Sequence, residues 1–129
     1  MNKTETILSF EDACKDQGIT TDLPDLTLIP EFYRKSIIAF YKLCVICKSL
    51  NGDWQADFTD HSQYKYFPWF YLSGGSSGYG ADAGPFYAVT GTVSNTGTYF
   101  GARLASKDRN TAIFFGTHFL EIWKDYIIG

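Results

Sequence analysis

The sequence predicts an α+β fold in which helices pack on a small antiparallel sheet of three strands. Apolar residues recur at helical spacing in two N-terminal segments and one C-terminal segment. Between these segments, three short runs rich in aromatic residues are separated by turn residues, as strands of a meander are. A chain of 129 residues fits one domain, so we expect a single domain over 1–129.

The two N-terminal helices are predicted from the residues at their ends. Ser9 is suited to cap the first helix and Gly18 to end it. The second helix begins at Pro30 and stops at Asn51-Gly52. Apolar side chains cover most of the circumference of this second helix, which predicts burial on more than one side.

Three strands are expected after the helices, over residues 64–72, 86–93 and 99–105. The glycine- and serine-rich segment 73–85 predicts a flexible loop between the first two strands. Pro68 places the first strand at an edge or beside a bulge, since proline cannot donate a backbone hydrogen bond. One final helix, capped by Asp108, closes the chain.

Composition and charge exclude some partners. The net charge is −3, so the chain lacks the surplus of lysine and arginine that binds nucleic acid or anionic membranes. It has no apolar run of signal-peptide or membrane-span length, which predicts a protein made in the cytoplasm. Aromatic residues make up 18% of the chain, and such rings suit a core and a binding surface equally.

The cysteines are predicted to be free thiols that pack in the core. Cys14, Cys44 and Cys47 are an odd number, and a disulfide framework is not expected. Cys44 and Cys47 have the Cys-x-x-Cys spacing of redox and metal sites. They lie in the last turns of a long helix, whereas redox pairs use the helix N-terminus, where the dipole lowers the thiol pKa.

No motif predicts a reaction, a metal or a cofactor. Asp53, Asp57, Asp60 and His61 are close in sequence, but their spacing does not match a calcium loop. His118 falls inside the last helix, where a hydrogen-bonded structural role is expected. The glycine-rich segment lacks the lysine of a phosphate-binding loop. We therefore expect a protein that is not an enzyme.

The stretch YKYFPWFYL offers the best indication of function. Alternation along a strand directs Tyr64, Tyr66, Pro68, Phe70 and Leu72 to one face, and Lys65, Phe67, Trp69 and Tyr71 to the other. Both faces are aromatic from Phe67 onward, and helices on one side of a sheet bury only one of them. The second face is a candidate contact surface. The predicted binding residues are Tyr66, Trp69, Tyr71 and Tyr79, with Trp54 as a weaker candidate.

The runs IPEFYRKSIIAFYKL, LNGDWQADFTDHSQYKYFPWF and GARLASKDRNTAIFFGTHFLEIWKDYII together cover most of the chain from Ile29 onward. In these runs the chain resembles a group of small proteins encoded by phages and prophages of gut bacteria. The resemblance implies a phage or mobile-element origin and a common fold. It implies no activity, substrate or catalytic residue. The expected location is then the cytoplasm of the bacterial host, or the virion.

Three hypotheses follow for the function. The first is a non-enzymatic module that assembles with itself or with another protein through the aromatic surface, for example as an accessory virion component. The second is a counter-defence protein that captures a small nucleotide-like ligand by aromatic stacking, with Arg103 or Lys107 near a phosphate. The third is a metal-dependent enzyme that uses Asp57, Asp60 and His61.

Overall fold

The computed structural model of the chain describes residues 2–71, 87–94 and 98–129, and its regular structure is mainly helical. These ranges contain four α-helices and two strands, namely α1 Phe10–Gln17, α2 Glu31–Asn51, β1 Lys65–Tyr71, β2 Tyr87–Ser94, α3 Arg109–His118 and α4 Leu120–Ile128. The strands pair antiparallel and form a ribbon. The loop predicted over 73–85 falls wholly between the two strands, outside the described residues.

The predicted three-stranded sheet is wrong, because the third strand expected over 99–105 does not form. Gly101 adopts φ 82° and ψ 174°, backbone angles that residues other than glycine rarely adopt. A short 3-10 helix over Ala102–Leu104 follows it. Within the described ranges, the pairing of this part of the chain with β1 is one isolated bridge between Tyr66 and Ser106, the residue that follows the segment.

The predicted packing of both N-terminal helices on a sheet is also wrong. α1 packs on α2, where the Gln17 amide donates to the Val45 carbonyl over 2.7 Å and the Phe10 ring meets the edge of Tyr41. α2 packs in turn on α4, whereas α3 is the helix that packs against the strands. The fold is therefore a helical assembly with a ribbon that packs mainly against α3.

The single C-terminal helix that the sequence predicts is two helices, α3 and α4, because the backbone leaves helical geometry at Phe119. Phe119 has ψ 30°, and its carbonyl begins the hydrogen bonding of α4. The Thr117 hydroxyl donates to the Ile113 carbonyl over 2.7 Å, and such back-bonding bends helices. The break lets Phe115 and Trp123 meet at 5.1 Å between ring centroids, on the core side of both helices.

Side-chain caps fix where two of the helices begin. The Ser9 side chain accepts a hydrogen bond from the Asp12 N–H at the start of α1. The Asp108 carboxylate does the same for Thr111 at the start of α3. Each cap satisfies a backbone donor that has no partner inside its helix.

The core lies where α1, the C-terminal half of α2, α3 and α4 meet. Its buried members are Ile7, Phe10, Ala13, Cys14, Leu43, Val45, Ile46, Cys47, Leu50, Leu104, Phe115, Phe119 and Trp123. Trp123 is fully buried at its centre and packs at 5.0 Å from the rings of both Phe70 and Phe100. Aromatic contacts of this kind bury large areas per residue, so a few rings hold the core together.

Candidate functional site

The aromatic run of β1 is used largely for the core. Phe67 is fully buried, and both Phe67 and Phe70 contact the ring of Phe100. A regular strand would direct these two side chains to opposite faces. The register shifts between Trp69 and Phe70, where one residue of β2 has no partner in β1, and bulges of this kind increase the local twist of the strand pair. The rings of Phe67 and Phe70 nevertheless both contact Phe100.

Two of the predicted contact residues on β1 are described with their side chains, and they have different neighbours. The Tyr66 ring is half-buried with the Arg109 guanidinium 5.8 Å from its centroid. Trp69 is 40% exposed and meets the exposed ring of Tyr99 edge-on at 5.8 Å. The structure therefore does not join Tyr66 and Trp69 into one aromatic surface. Trp69 and Tyr99 form a small exposed pair instead.

The other two predicted contact residues lie at or beyond the end of β1. Tyr71 is the last residue of the strand, where its backbone pairs with Tyr87. Tyr79 lies outside the described residues.

Among the described residues, the two most exposed large apolar side chains lie at the start of α2 and just before it. Leu28 is 95% exposed, Phe32 84% and Tyr33 55%, and the rings of Phe32 and Tyr33 meet edge-on at 5.2 Å. We call these three residues the α2 apolar patch. Single exposed apolar residues are common on proteins, but three within six positions suggest a contact surface.

Hydrogen bonds hold the segment that carries Leu28 against the first turn of α2. The Arg34 side chain donates to the Ile29 carbonyl over 2.6 Å and to the Thr27 carbonyl over 3.4 Å. Pro30 precedes the helix with a fixed φ of −53°, which suits a helix start. The patch is thus presented by ordered backbone on both sides of Pro30.

A concave feature, separate from the α2 apolar patch, brings together two predicted residues, Trp54 and Arg103, which are distant in sequence. They line a groove of about 410 Å³ beside the C-terminal half of α2. We call it the Trp54 groove; its other lining residues are Gln17, Cys44, Val45, Lys48, Asn51, Gln55, Ala56 and Ala102. Lys107, the alternative cation of the sequence analysis, is not among them.

Asn51 fixes the two walls of this groove to each other. Its side-chain amide donates to the Ala105 carbonyl over 2.8 Å, and its oxygen accepts the Lys107 N–H over 3.0 Å. The chain then turns at Gly52, which has φ 63°, and the Trp54 N–H donates to the Asn51 carbonyl over 3.2 Å. Asn51 therefore joins the end of α2 to the segment after Arg103 through its buried side-chain amide, and to the Trp54 loop through its backbone carbonyl.

In the loop that carries Asp53, Asp57, Asp60 and His61, the carboxylates of Asp57 and Asp60 accept hydrogen bonds within local turns. Asp57 accepts hydrogen bonds from the backbone and hydroxyl of Thr59, and Asp60 does so from Ser62. These bonds from the hydroxyls lower the pKa of both carboxyls. No group of three or more histidine, cysteine or acidic residues in the described ranges is arranged to hold a metal ion.

The surroundings of the three thiols and of His118 indicate structural roles rather than chemical reactivity. Burial raises the pKa of the Cys14 and Cys47 thiols, and it raises the pKa of half-buried Cys44 to about 11. Such thiols are poor nucleophiles at neutral pH because the thiolate is the reactive form. His118 Nε2 lies 2.8 Å from the Leu8 carbonyl, and its ring stacks on Phe114. The expected hydrogen-bonded histidine is confirmed.

Sequence reasoning did not select Leu28, Phe32 or Lys48 as site residues. For Phe32 the signal was the wide apolar circumference of the second helix, which we interpreted as burial on several sides, whereas Leu28 precedes that helix. Which of those sides are covered depends on the positions of α1 and α4. Lys48 is an exposed residue of that helix, and only the fold brings it to the same groove as Trp54.

Comparison with protein-family models, with curated proteins and with solved structures finds no match for this chain. Among the described helices, none combines the length and apolar character needed to cross a membrane.

Proposed function

We propose that this protein is a non-catalytic assembly module in which copies of the chain associate through the α2 apolar patch. The observation that carries the proposal is the exposure of Leu28 at 95% and of Phe32 at 84%. When a partner removes large apolar side chains of this kind from water, the free energy falls by about 25 cal/mol for each Å² of apolar surface that is buried.

The patch also has features of an interaction hot spot. It contains two aromatic rings in contact, and aromatic residues are enriched at protein interfaces. The Arg34 hydrogen bonds hold its backbone in place before any partner arrives. Such preorganisation lowers the entropy cost of association.

The resemblance of the chain to small phage and prophage proteins supports a role in phage assembly, for example as an accessory virion component. The engaged carboxylates of Asp57 and Asp60 and the raised pKa of the Cys44 thiol support a role without catalysis. A second phage protein would be recognised by the same apolar surface.

Native mass spectrometry and light scattering on the wild-type protein and on Phe32→Asp test the proposal. We expect a wild-type multimer and a monomeric variant, because a charge at this position would have to be desolvated in the interface. Phe32 is exposed, so the substitution should leave the fold intact, which circular dichroism checks.

Trp69→Asp is the matched control, because it places the same charge on the exposed pair of β1 that the sequence analysis favoured. It should leave the multimer unchanged. A wild-type protein that remains a monomer at high concentration would contradict self-assembly. A multimer that Trp69→Asp dissociates and Phe32→Asp preserves would assign the interface to β1 instead.

A further inference from the structure

Two positively charged side chains and no acidic side chain line the Trp54 groove. Lys48 and Arg103 line it, and none of the described residues around it is acidic. Within the described part of the chain, the ion pairs are Lys3 with Asp16 and Lys35 with Asp125, so neither groove cation takes part in one. Two unpaired cations at one concave site are notable in a chain whose net charge is −3.

An aromatic side chain also lines the groove. Trp54 is half-buried and directly follows the turn that ends α2. Arg103 lines the same groove as Cys44, a residue of α2. A ring and a guanidinium therefore line one cavity.

The walls that carry these groups are fixed by hydrogen bonds. Gln63 accepts the Asp57 N–H over 2.7 Å and donates to the Gln55 carbonyl over 2.9 Å, which braces the loop after Trp54. At the other wall, the Gln17 amide donates to the Ser49 hydroxyl over 2.7 Å. The groove does not depend on an ordering step before a ligand enters.

Charge, shape and size together define a class of ligand. Arginine binds phosphate through paired hydrogen bonds, and indole rings stack on nucleobases. A volume of about 410 Å³ falls within the usual range of small-molecule sites. Two cations are too few to follow the backbone of a nucleic-acid strand, whose binding depends on many phosphate contacts.

We propose that the Trp54 groove binds a small phosphorylated ligand with a planar ring, of the size of a nucleoside monophosphate. Arg103 and Lys48 contact the phosphate, and Trp54 stacks on the base. This site is separate from the α2 apolar patch and does not depend on assembly.

Isothermal titration calorimetry with adenosine 5′-monophosphate tests the proposal, with adenosine and inorganic phosphate as the two halves of the probe. We expect the monophosphate to bind at least about tenfold more tightly than either half, since only it engages both the ring and the cations. Arg103→Ala and Trp54→Ala should each weaken its binding about tenfold or more.

Two variants serve as matched controls. Trp54→Phe keeps an aromatic wall and should retain most of the affinity, which separates stacking from a general loss of structure. Lys107→Ala removes a nearby exposed cation outside the groove and should leave the affinity unchanged.

The proposal is overturned if about 1 mM of the monophosphate gives no binding. Equal affinity for inorganic phosphate and for the monophosphate would overturn it as well, because the ring would then contribute nothing. So would a loss of affinity in Lys107→Ala together with none in Arg103→Ala. Phe32→Asp should bind the probe like the wild-type protein, so failure of the assembly proposal would not affect this one.

Discussion

The two halves of α2 use similar apolar residues in opposite ways. In the C-terminal half, Leu43, Ile46 and Leu50 are buried in the core beneath α1 and the segment around Leu104. In the N-terminal half, Phe32 and Tyr33 are exposed.

The N-terminal half has fewer neighbours. The end of α4 covers one side of it, where Phe40 stacks on Tyr126 at 5.4 Å and the Ser36 hydroxyl donates to the Tyr126 carbonyl over 2.7 Å. Among the described residues, no further contact buries Phe32, which is 84% exposed. Apolar character along a helix therefore indicates what could be buried, while the neighbouring helices decide what is buried within the chain and what is left for a partner.

The largest expected effect on the free energy of unfolding comes from truncating one isoleucine in each half of α2. Ile46 is 0% exposed and Ile37 is 37% exposed. Ile46→Ala should lower the free energy of unfolding by about 2–5 kcal/mol, because it leaves a cavity in the core. Ile37→Ala should cost less than about 1 kcal/mol. Urea denaturation measures both, and equal losses would refute the division of α2 into a core half and a surface half.

A smaller effect is expected from pH at Cys44, which lies in the core half and faces the Trp54 groove. Burial raises its pKa from 9.0 in the unfolded chain to about 11 in the folded protein. The neutral thiol therefore contributes stability that is complete below pH 9 and is lost as the pH rises through about 11.

Cys44→Ala should remove this contribution, so its free energy of unfolding should fall less steeply than that of the wild-type protein above pH 9. Comparing the two proteins cancels the titration of other groups. Parallel pH dependences would show that Cys44 is as solvated as in the unfolded chain.

The smallest effect on folding belongs to the patch itself. Phe32→Ala should change the free energy of unfolding of the monomer by no more than about 0.5 kcal/mol, because an exposed ring loses little packing. Urea denaturation at a protein concentration low enough to keep the chain monomeric is the measurement. A loss of more than about 2 kcal/mol would mean that Phe32 packs within its own chain.

Local signals in the sequence predicted local structure. Ser9 and Asp108 cap their helices, and Gly18 ends α1 in the left-handed conformation. These assignments depend on a side chain and a backbone group a few residues apart, so the sequence contains nearly all the information they need.

The fold predicted from the sequence is wrong where the structure depends on backbone angles or on distant segments. Residues 99–105 have the composition of a strand, but the angles of Gly101 interrupt it. The C-terminal segment has one continuous apolar face, yet the helix is interrupted at Phe119, and Phe115 and Trp123 pack together.

The candidate sites were predicted in part. Trp54 and Arg103 were each selected for their chemistry, but no pattern in the sequence indicated that they share a groove. On β1, the predicted contact residue Trp69 is exposed and Tyr66 is half-buried. The neighbouring rings of Phe67 and Phe70 pack near Phe100.

The most direct test of the central claim is hydroxyl-radical footprinting of the wild-type protein at low and at high concentration. The account predicts that Phe32 and Leu28 are oxidised readily in the dilute monomer and become protected as the protein assembles. Leu43 should be protected, and Trp69 oxidised, at both concentrations. Oxidation of Phe32 that stays the same at every concentration while the protein forms multimers would show that the exposed half of α2 is not the assembly surface.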